Sequence, residues 1–268
     1  IPSALANTVK ADKTKAAAGD TVTLTAAGEG TLTVTDANGK SVALTDLGSG
    51  KYTFKMPSAK VSVGFKTTAD QPCDGGKDCP SAPFTDVDTA KWYHLSVDYV
   101  LTHKMMNGVS SRAFAPNANL TRGMLVQILY NLEGEPKVSG KTSFTDLTDD
   151  WYKDAVLWAY QTGVVAGTSS TTFAPDQPVT REQIAVILME YVTRVLKLER
   201  TWTPADLSIF PDAGSVSDWA KDAMADAVAL GLISGASNGG QTYLEPQGSA
   251  TREQVATILM EFCKNVKK

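Results

Sequence analysis

The 268-residue sequence has no apolar run of the roughly 18 residues that a membrane-spanning helix needs, so no membrane span is expected. It also lacks a basic cluster. Its 25 Lys and Arg stand against 29 Asp and Glu, giving a net charge of −4 and a pI of about 5.3. Neutralising phosphates takes clustered cations, so nucleic acid is not expected as a partner. Histidine is scarce: His94 and His103 share one segment at helical spacing, and the sequence sets neither beside a plausible nucleophile. No H-E-x-x-H, G-x-S-x-G, phosphate-loop or EF-hand pattern occurs. Acidic pairs such as Asp149-Asp150 read as solvated residues at a helix start. The chain is therefore expected to be no enzyme and to need no metal or cofactor, leaving room for a catalytic domain upstream of Ile1 in a longer parent. It opens with neither an initiator Met nor a signal peptide, so Ile1 is read as the start of a processed chain or of a cut piece.

Cysteines number three. Cys73 and Cys79 lie in CDGGKDC between Pro72 and Pro80, and two cysteines this close in a polar loop suggest a disulfide staple. Closing so short a loop stabilises by roughly 2 kcal/mol in the chain-entropy account. Free thiols and half of a metal site are the alternatives, and no second Cys or His pair completes such a site. A disulfide implies an oxidising, extracellular setting. Cys263 falls within a helical apolar pattern and is expected to be a buried thiol.

What is present divides the chain. Residues 1–68 alternate Thr or Lys with apolar residues in Thr21–Thr25, Thr31–Thr35, Lys51–Lys55 and Lys60–Phe65. Period-two alternation marks half-buried strands, and Gly19-Asp20, Asn38-Gly39 and Gly48-Ser49-Gly50 supply turns. A small β-sandwich follows. Residues 69–83, rich in Pro and Gly, read as a linker.

Beyond the linker the sequence repeats itself, over residues 84–140, 141–200 and 201–268. Phe84-Thr85-Asp86 returns as Phe144-Thr145-Asp146 and Phe210-Pro211-Asp212. Trp92 returns as Trp151 and Trp219, and Gly108 as Gly167 and Gly235. Phe114-Ala115-Pro116 returns as Phe173-Ala174-Pro175 and, altered, as Leu244-Glu245-Pro246. Thr121-Arg122, Thr180-Arg181 and Thr251-Arg252 each open an apolar helical stripe such as Ile184, Ile187, Leu188 and Tyr191. Each unit is thus a helix, a Gly- and Pro-containing loop and a second helix. One such pair cannot bury its own apolar face, so the units must pack on one another.

The order F-x-D, W, G, F-x-P, T-R, met three times over residues 84–268, resembles the surface-layer homology (SLH) domain. GDTVTLT, VTDANGK and KYTFKMPSAKVSV are similar to the bacterial immunoglobulin-like repeats that act as spacers on Gram-positive surface proteins. These resemblances imply a multidomain chain: a small all-β sandwich, then an all-α three-repeat domain in pseudo-three-fold arrangement. The function they imply is non-covalent cell-surface anchoring, outside the cell at the wall. The partner would be a secondary cell-wall polysaccharide of a Gram-positive-type envelope, often ending in a pyruvylated amino sugar. The alternative is a structural surface-layer or adhesion protein that assembles through surface-protein partners.

Candidate site residues follow from the repeat. Thr180 with Gln183 and Thr251 with Gln254 fit a capping box. Arg122, Arg181 and Arg252 do not fit so easily, because a cation in a helix's first turn opposes the dipole. An Arg fork beside free helix N–H groups would hold a carboxylate, and an internal ion pair is the rival reading. Trp92, Trp151 and Trp219 are either sugar platforms or core. Gly108, Gly167 and Gly235 supply turns or close backbone approach, and their N–H groups are expected to face a groove. Asp86, Asp146 and Asp212 are expected to pin turns. The repeats differ: SLH helices usually start T-R-A-E, whereas this chain has Met124, Gln183 and Gln254 at the fourth place. Lys104 replaces a glycine, the third loop carries Ser237–Gln241 as an insertion, and Leu244 replaces an aromatic. The groove using Arg181 is the least altered and ranks first.

Overall fold

The computed structural model describes residues 9–26, 30–48, 50–67 and 79–267. The chain divides into two compact units, Ile1–Cys73 and Asp74–Lys268.

In the first unit, β1 (Val9–Ala11), β2 (Thr21–Ala26), β5 (Lys51–Lys55) and β4 (Thr45–Gly48) form an antiparallel sheet in the order β1-β2-β5-β4. β3 (Gly30–Asp36) pairs antiparallel with β6 (Val61–Thr67) in a second sheet. Alternation sets the register. Val22 stands opposite Phe54 in one sheet, and Val34 opposite Val63 in the other. All four side chains are buried in one apolar cluster with Val9, Leu24 and Leu32, so the sheets form a sandwich. Each such burial stabilises by about 1.5–3 kcal/mol relative to exposure.

The second unit holds six α-helices among the described residues: α1 (His94–Thr102), α2 (Arg122–Leu132), α3 (Asp150–Thr162), α4 (Arg181–Arg194), α5 (Lys221–Ala229) and α6 (Arg252–Asn265). Thr121, Thr180 and Thr251 are extended N-caps. Thr180 Oγ1 accepts from Gln183 N, and Gln183 Oε1 accepts from Thr180 N, each at 3.3 Å, as the capping box requires. The second helix of each repeat packs on the first helix of the next: α2 on α3, α4 on α5, and α6 back on α1. At the centre the strips before the caps bond in a cycle. Leu120 N donates to Ala250 O at 2.9 Å, Ala250 N to Val179 O at 3.0 Å, and Val179 N to Leu120 O at 2.9 Å. All three residues are fully buried. The ring of repeats is therefore closed with pseudo-three-fold symmetry.

Departures between repeats show locally. Lys104 takes the left-handed backbone that Gly163 and Gly231 take elsewhere, with φ of 55° against 77° and 71°. The insertion in the third loop forms a hairpin, β7 (Ala236–Asn238) with β8 (Gln241–Tyr243), turning on Gly239 and Gly240 at positive φ.

Candidate functional site

Each repeat carries a joint that begins at the Asp of its F-x-D triplet. Asp146 accepts hydrogen bonds from Phe173 N at 3.0 Å and Ala174 N at 2.7 Å. Asp86 does the same for Phe114 N and Ala115 N, and Asp212 for Leu244 N and Glu245 N. The second residue of each pair is non-glycine yet left-handed, with φ of 56° at Ala115, 61° at Ala174 and 49° at Glu245. Such a backbone costs about 1–3 kcal/mol, and the two carboxylate bonds offset it. These bonds hold the Asp146 carboxyl below the usual range against the opposing effect of burial.

The clamped turn aims a carbonyl at an arginine of the preceding repeat in the ring. Arg122 Nε donates to Phe173 O at 3.0 Å, Arg181 Nε to Leu244 O at 2.7 Å, and Arg252 Nε to Phe114 O at 2.8 Å. Arg252 Nη2 adds Asn107 O at 2.6 Å, and Arg122 Nη2 adds Ala166 O at 3.4 Å. The Arg122 and Arg252 guanidinium groups also lie over the rings of Phe173 and Phe114. All three arginines are buried, and burial pulls each guanidinium's pKa down. Arg181 differs, since Leu244 gives it no ring and its Nη atoms have no protein partner among the described residues.

Two expectations need correction here. The helix N–H groups beside the arginines are not free. Arg122 N donates to Gln177 O and Gly123 N to Pro175 O, and Arg181, Glu182, Arg252 and Glu253 N–H groups likewise reach carbonyls of the adjoining repeat. Nor does an ion pair hold the arginines among the described residues, where their acceptors are backbone carbonyls.

The tryptophans stand out from the core. Trp92, Trp151 and Trp219 are 62%, 50% and 59% exposed, while the next residue of each, Tyr93, Tyr152 or Ala220, takes the buried slot. The glycines are sterically required. A Cβ on Gly167 would meet Ser169 O at 2.3 Å and Phe144 Cε1 at 2.5 Å, and one on Gly108 would meet Phe84 Cε1 at 2.3 Å. Gly235 has positive φ, and its Cβ would meet Tyr243 O at 2.7 Å.

One cleft of about 440 Å³ gathers Arg122 from the first repeat, Gly167 from the second and Trp219 from the third. Val164, Val165, Val186 and Ile187 give it an apolar wall, and Gln183 adds an amide. Trp151 instead borders a different cleft, with Gln127, Tyr130, Glu135, Asp150 and Asp154. Cationic and aromatic candidates thus converge in the cleft at Arg122.

A second cluster lies outside this cleft. His94 Nε2 is 3.2 Å from Ser81 Oγ, 3.3 Å from Asp98 Oδ2 and 3.3 Å from Cys79 Sγ. A histidine does therefore sit beside a hydroxyl, contrary to the reading from sequence. Serine and carboxylate meet the same ring nitrogen, however, and Ser81 and His94 are each 3% exposed. A relay needs the two on opposite nitrogens and an open hydroxyl. Ligating atoms of Cys79, His94 and Asp98 lie within 4.8 Å of one another, but Cys79 is disulfide-bonded and brings no thiolate to a metal. Its expected partner, Cys73, lies outside the described residues. Cys263 is a free thiol, only partly buried, whose pKa burial raises.

Sequence reasoning missed the acidic side of the joints. Glu182 is 4% exposed, and its carboxylate accepts from Ser217 N and Ser217 Oγ, each at 3.0 Å. Neither residue is marked by a motif, and 35 positions separate them.

The family model of the S-layer homology domain matches residues 83–123, 143–185 and 209–256. An endoglucanase from Bacillus sp. (strain KSM-635) is 30% identical over 180 residues, 66% of this chain and 18% of that protein. The surface-layer 125 kDa protein of Lysinibacillus sphaericus is 33% identical over 163 residues, 60% of this chain and 13% of that protein. S-layer protein sap of Bacillus anthracis is 27% identical over 185 residues, 68% of this chain and 21% of that protein. The chain thus spans less than a quarter of the length of each of these relatives.

Proposed function

Because residues 83–256 make this chain a member of the S-layer homology domain family, we propose that it is a non-catalytic anchor that binds an anionic secondary cell-wall polysaccharide. Three matched repeats and relatives named as surface-layer proteins support anchoring at the cell wall. The observation that carries glycan recognition is the convergence of Arg122, Gly167 and Trp219 on one cleft. A half-exposed indole offers its face to a sugar ring. The apolar wall suits a ketal or acetyl methyl, and the guanidinium nitrogens left over from the inter-repeat bonds suit a carboxylate. A pyruvylated amino sugar has all three features. The β unit, on this reading an immunoglobulin-like spacer, sets the anchor apart from whatever else a longer parent carries. The endoglucanase relative shares only 18% of its length with this chain, which fits an anchor joined to separate catalytic machinery.

The test is a pull-down with native wall against wall chemically stripped of its secondary polysaccharide. Binding lost on stripping supports the glycan reading. Equal binding to both walls favours assembly through surface proteins and sinks it.

A further inference from the structure

The three joints of the ring carry different acidic chemistry. Between the second and third repeats, Glu182 is buried and accepts two hydrogen bonds from Ser217, two residues before Trp219. Between the third and first repeats, Glu253 takes the corresponding place on α6 and is 9% exposed. The corresponding residue two before Trp92 is Ala90, which has no hydroxyl. Its backbone N–H is already given to Asp88 Oδ1 at 2.9 Å. Among the described residues, Glu253 Oε2 is left buried with no hydrogen-bond partner. Between the first and second repeats the place is held by Gly123, and no carboxylate arises.

We propose that Glu253 makes the seam between the third and first repeats a proton-operated latch, held more firmly in mild acid than at neutral or alkaline pH. A carboxylate buried without donors is costly while charged, and protonation removes the charge. Burial raises the Glu253 pKa, with Lys91 partly opposing. From the first repeat, Lys91 and Tyr93 face it, and Asp86 and Asp88 act on Tyr93 beside it. On its own helix, the Arg252 guanidinium is directed at Phe114 O and Asn107 O. His94 and Asp98 of α1 pair with each other.

An acid whose folded pKa is raised binds more protons folded than unfolded between the two values. Stability is then highest below the ordinary Glu range and is lost as pH rises through the raised value. Glu133 and Asp146, whose pKa values are lowered, act the other way, and only below the ordinary carboxylate range. Tyr93, whose pKa is raised, titrates above the ordinary tyrosine range. The window from about pH 5 to pH 8 therefore isolates Glu253 among the groups with shifted values.

Every one of the 5 tryptophans lies in the second unit, so indole fluorescence of the full chain reports this ring alone. Denaturant unfolding at pH 5.5 and pH 8 should give the parent protein a higher folded-to-unfolded ratio in acid, roughly tenfold for each unit by which the folded-state pKa exceeds 5.5. Glu253→Gln should abolish most of that gain. Ala90→Ser, which supplies the missing hydroxyl, should raise the ratio at pH 8 and shrink the gain. An undiminished gain in Glu253→Gln overturns the latch. Should that variant not fold, carbon-13 NMR titration of the parent protein decides: a Glu253 carboxyl titrating at or below the ordinary Glu value overturns it equally. Neither readout depends on glycan binding.

Discussion

Arg122 donates to the carbonyl of Phe173 and lies across that residue's ring, its guanidinium carbon 4.8 Å from the centroid, although 51 positions separate the two residues. A cation set against its own helix dipole is thereby explained, since it joins two repeats. Arg122→Ala leaves a buried carbonyl without its donor and should cost about 1–3 kcal/mol of ring stability. Arg122→Lys should recover a minor part, because the planar fork is lost. Denaturant unfolding followed by indole fluorescence checks both. A variant as stable as the parent would remove the strut.

Trp219 gives the complementary case, being half-exposed at the cleft edge while Ala220 fills the core beneath it. Trp219→Ala should weaken binding to native wall about five- to tenfold and leave the melting temperature nearly unchanged. Gly167→Ala should do the opposite first. Its Cβ would meet Ser169 O and Thr172 O at 2.3 and 2.6 Å, so a loss of about 1–3 kcal/mol of stability is expected. Sedimentation with wall fragments, run beside thermal melts, separates the two effects.

Deleting residues 1–68 removes strands whose apolar residues face their own core. Wall binding by the remaining ring should stay within a factor of about two. A tenfold loss, about 1.4 kcal/mol, would mean that the β unit touches the ligand and is no spacer.

Cys73 and Cys79 should be oxidised to each other. Intact mass with alkylation before and after reduction measures this. One alkylatable thiol before reduction, that of Cys263, and three after it is the expected result; three from the outset would refute the pairing.

Four strands were legible because β2, β3, β5 and β6 alternate one buried face with one open face. β4 was not, since all of Thr45–Gly48 is exposed and nothing imposes a period. The starts of α2, α4 and α6 followed from the threonine caps and the apolar stripes. The arginines were the hard part. Their acceptors are main-chain carbonyls 51, 63 and 138 positions away, and a carbonyl leaves no trace in a sequence. A cation opposing the dipole was legible as an anomaly, but its resolution lay in tertiary geometry. The tryptophans were ambiguous for a related reason. In Trp92-Tyr93 and Trp151-Tyr152 either aromatic could have turned inward, and only packing decides that the second does.

The cycle of hydrogen bonds through Leu120, Val179 and Ala250 fixes the arithmetic of the assembly. A linear stack of repeats has two raw ends, needs special end units to cover them, and grows or shrinks one unit at a time. A triangle whose first vertex donates across to the third has no end to cover and no vacancy for a fourth member. Evolution can therefore vary what lies before or after these residues freely, yet the repeats themselves must be gained or lost as a set.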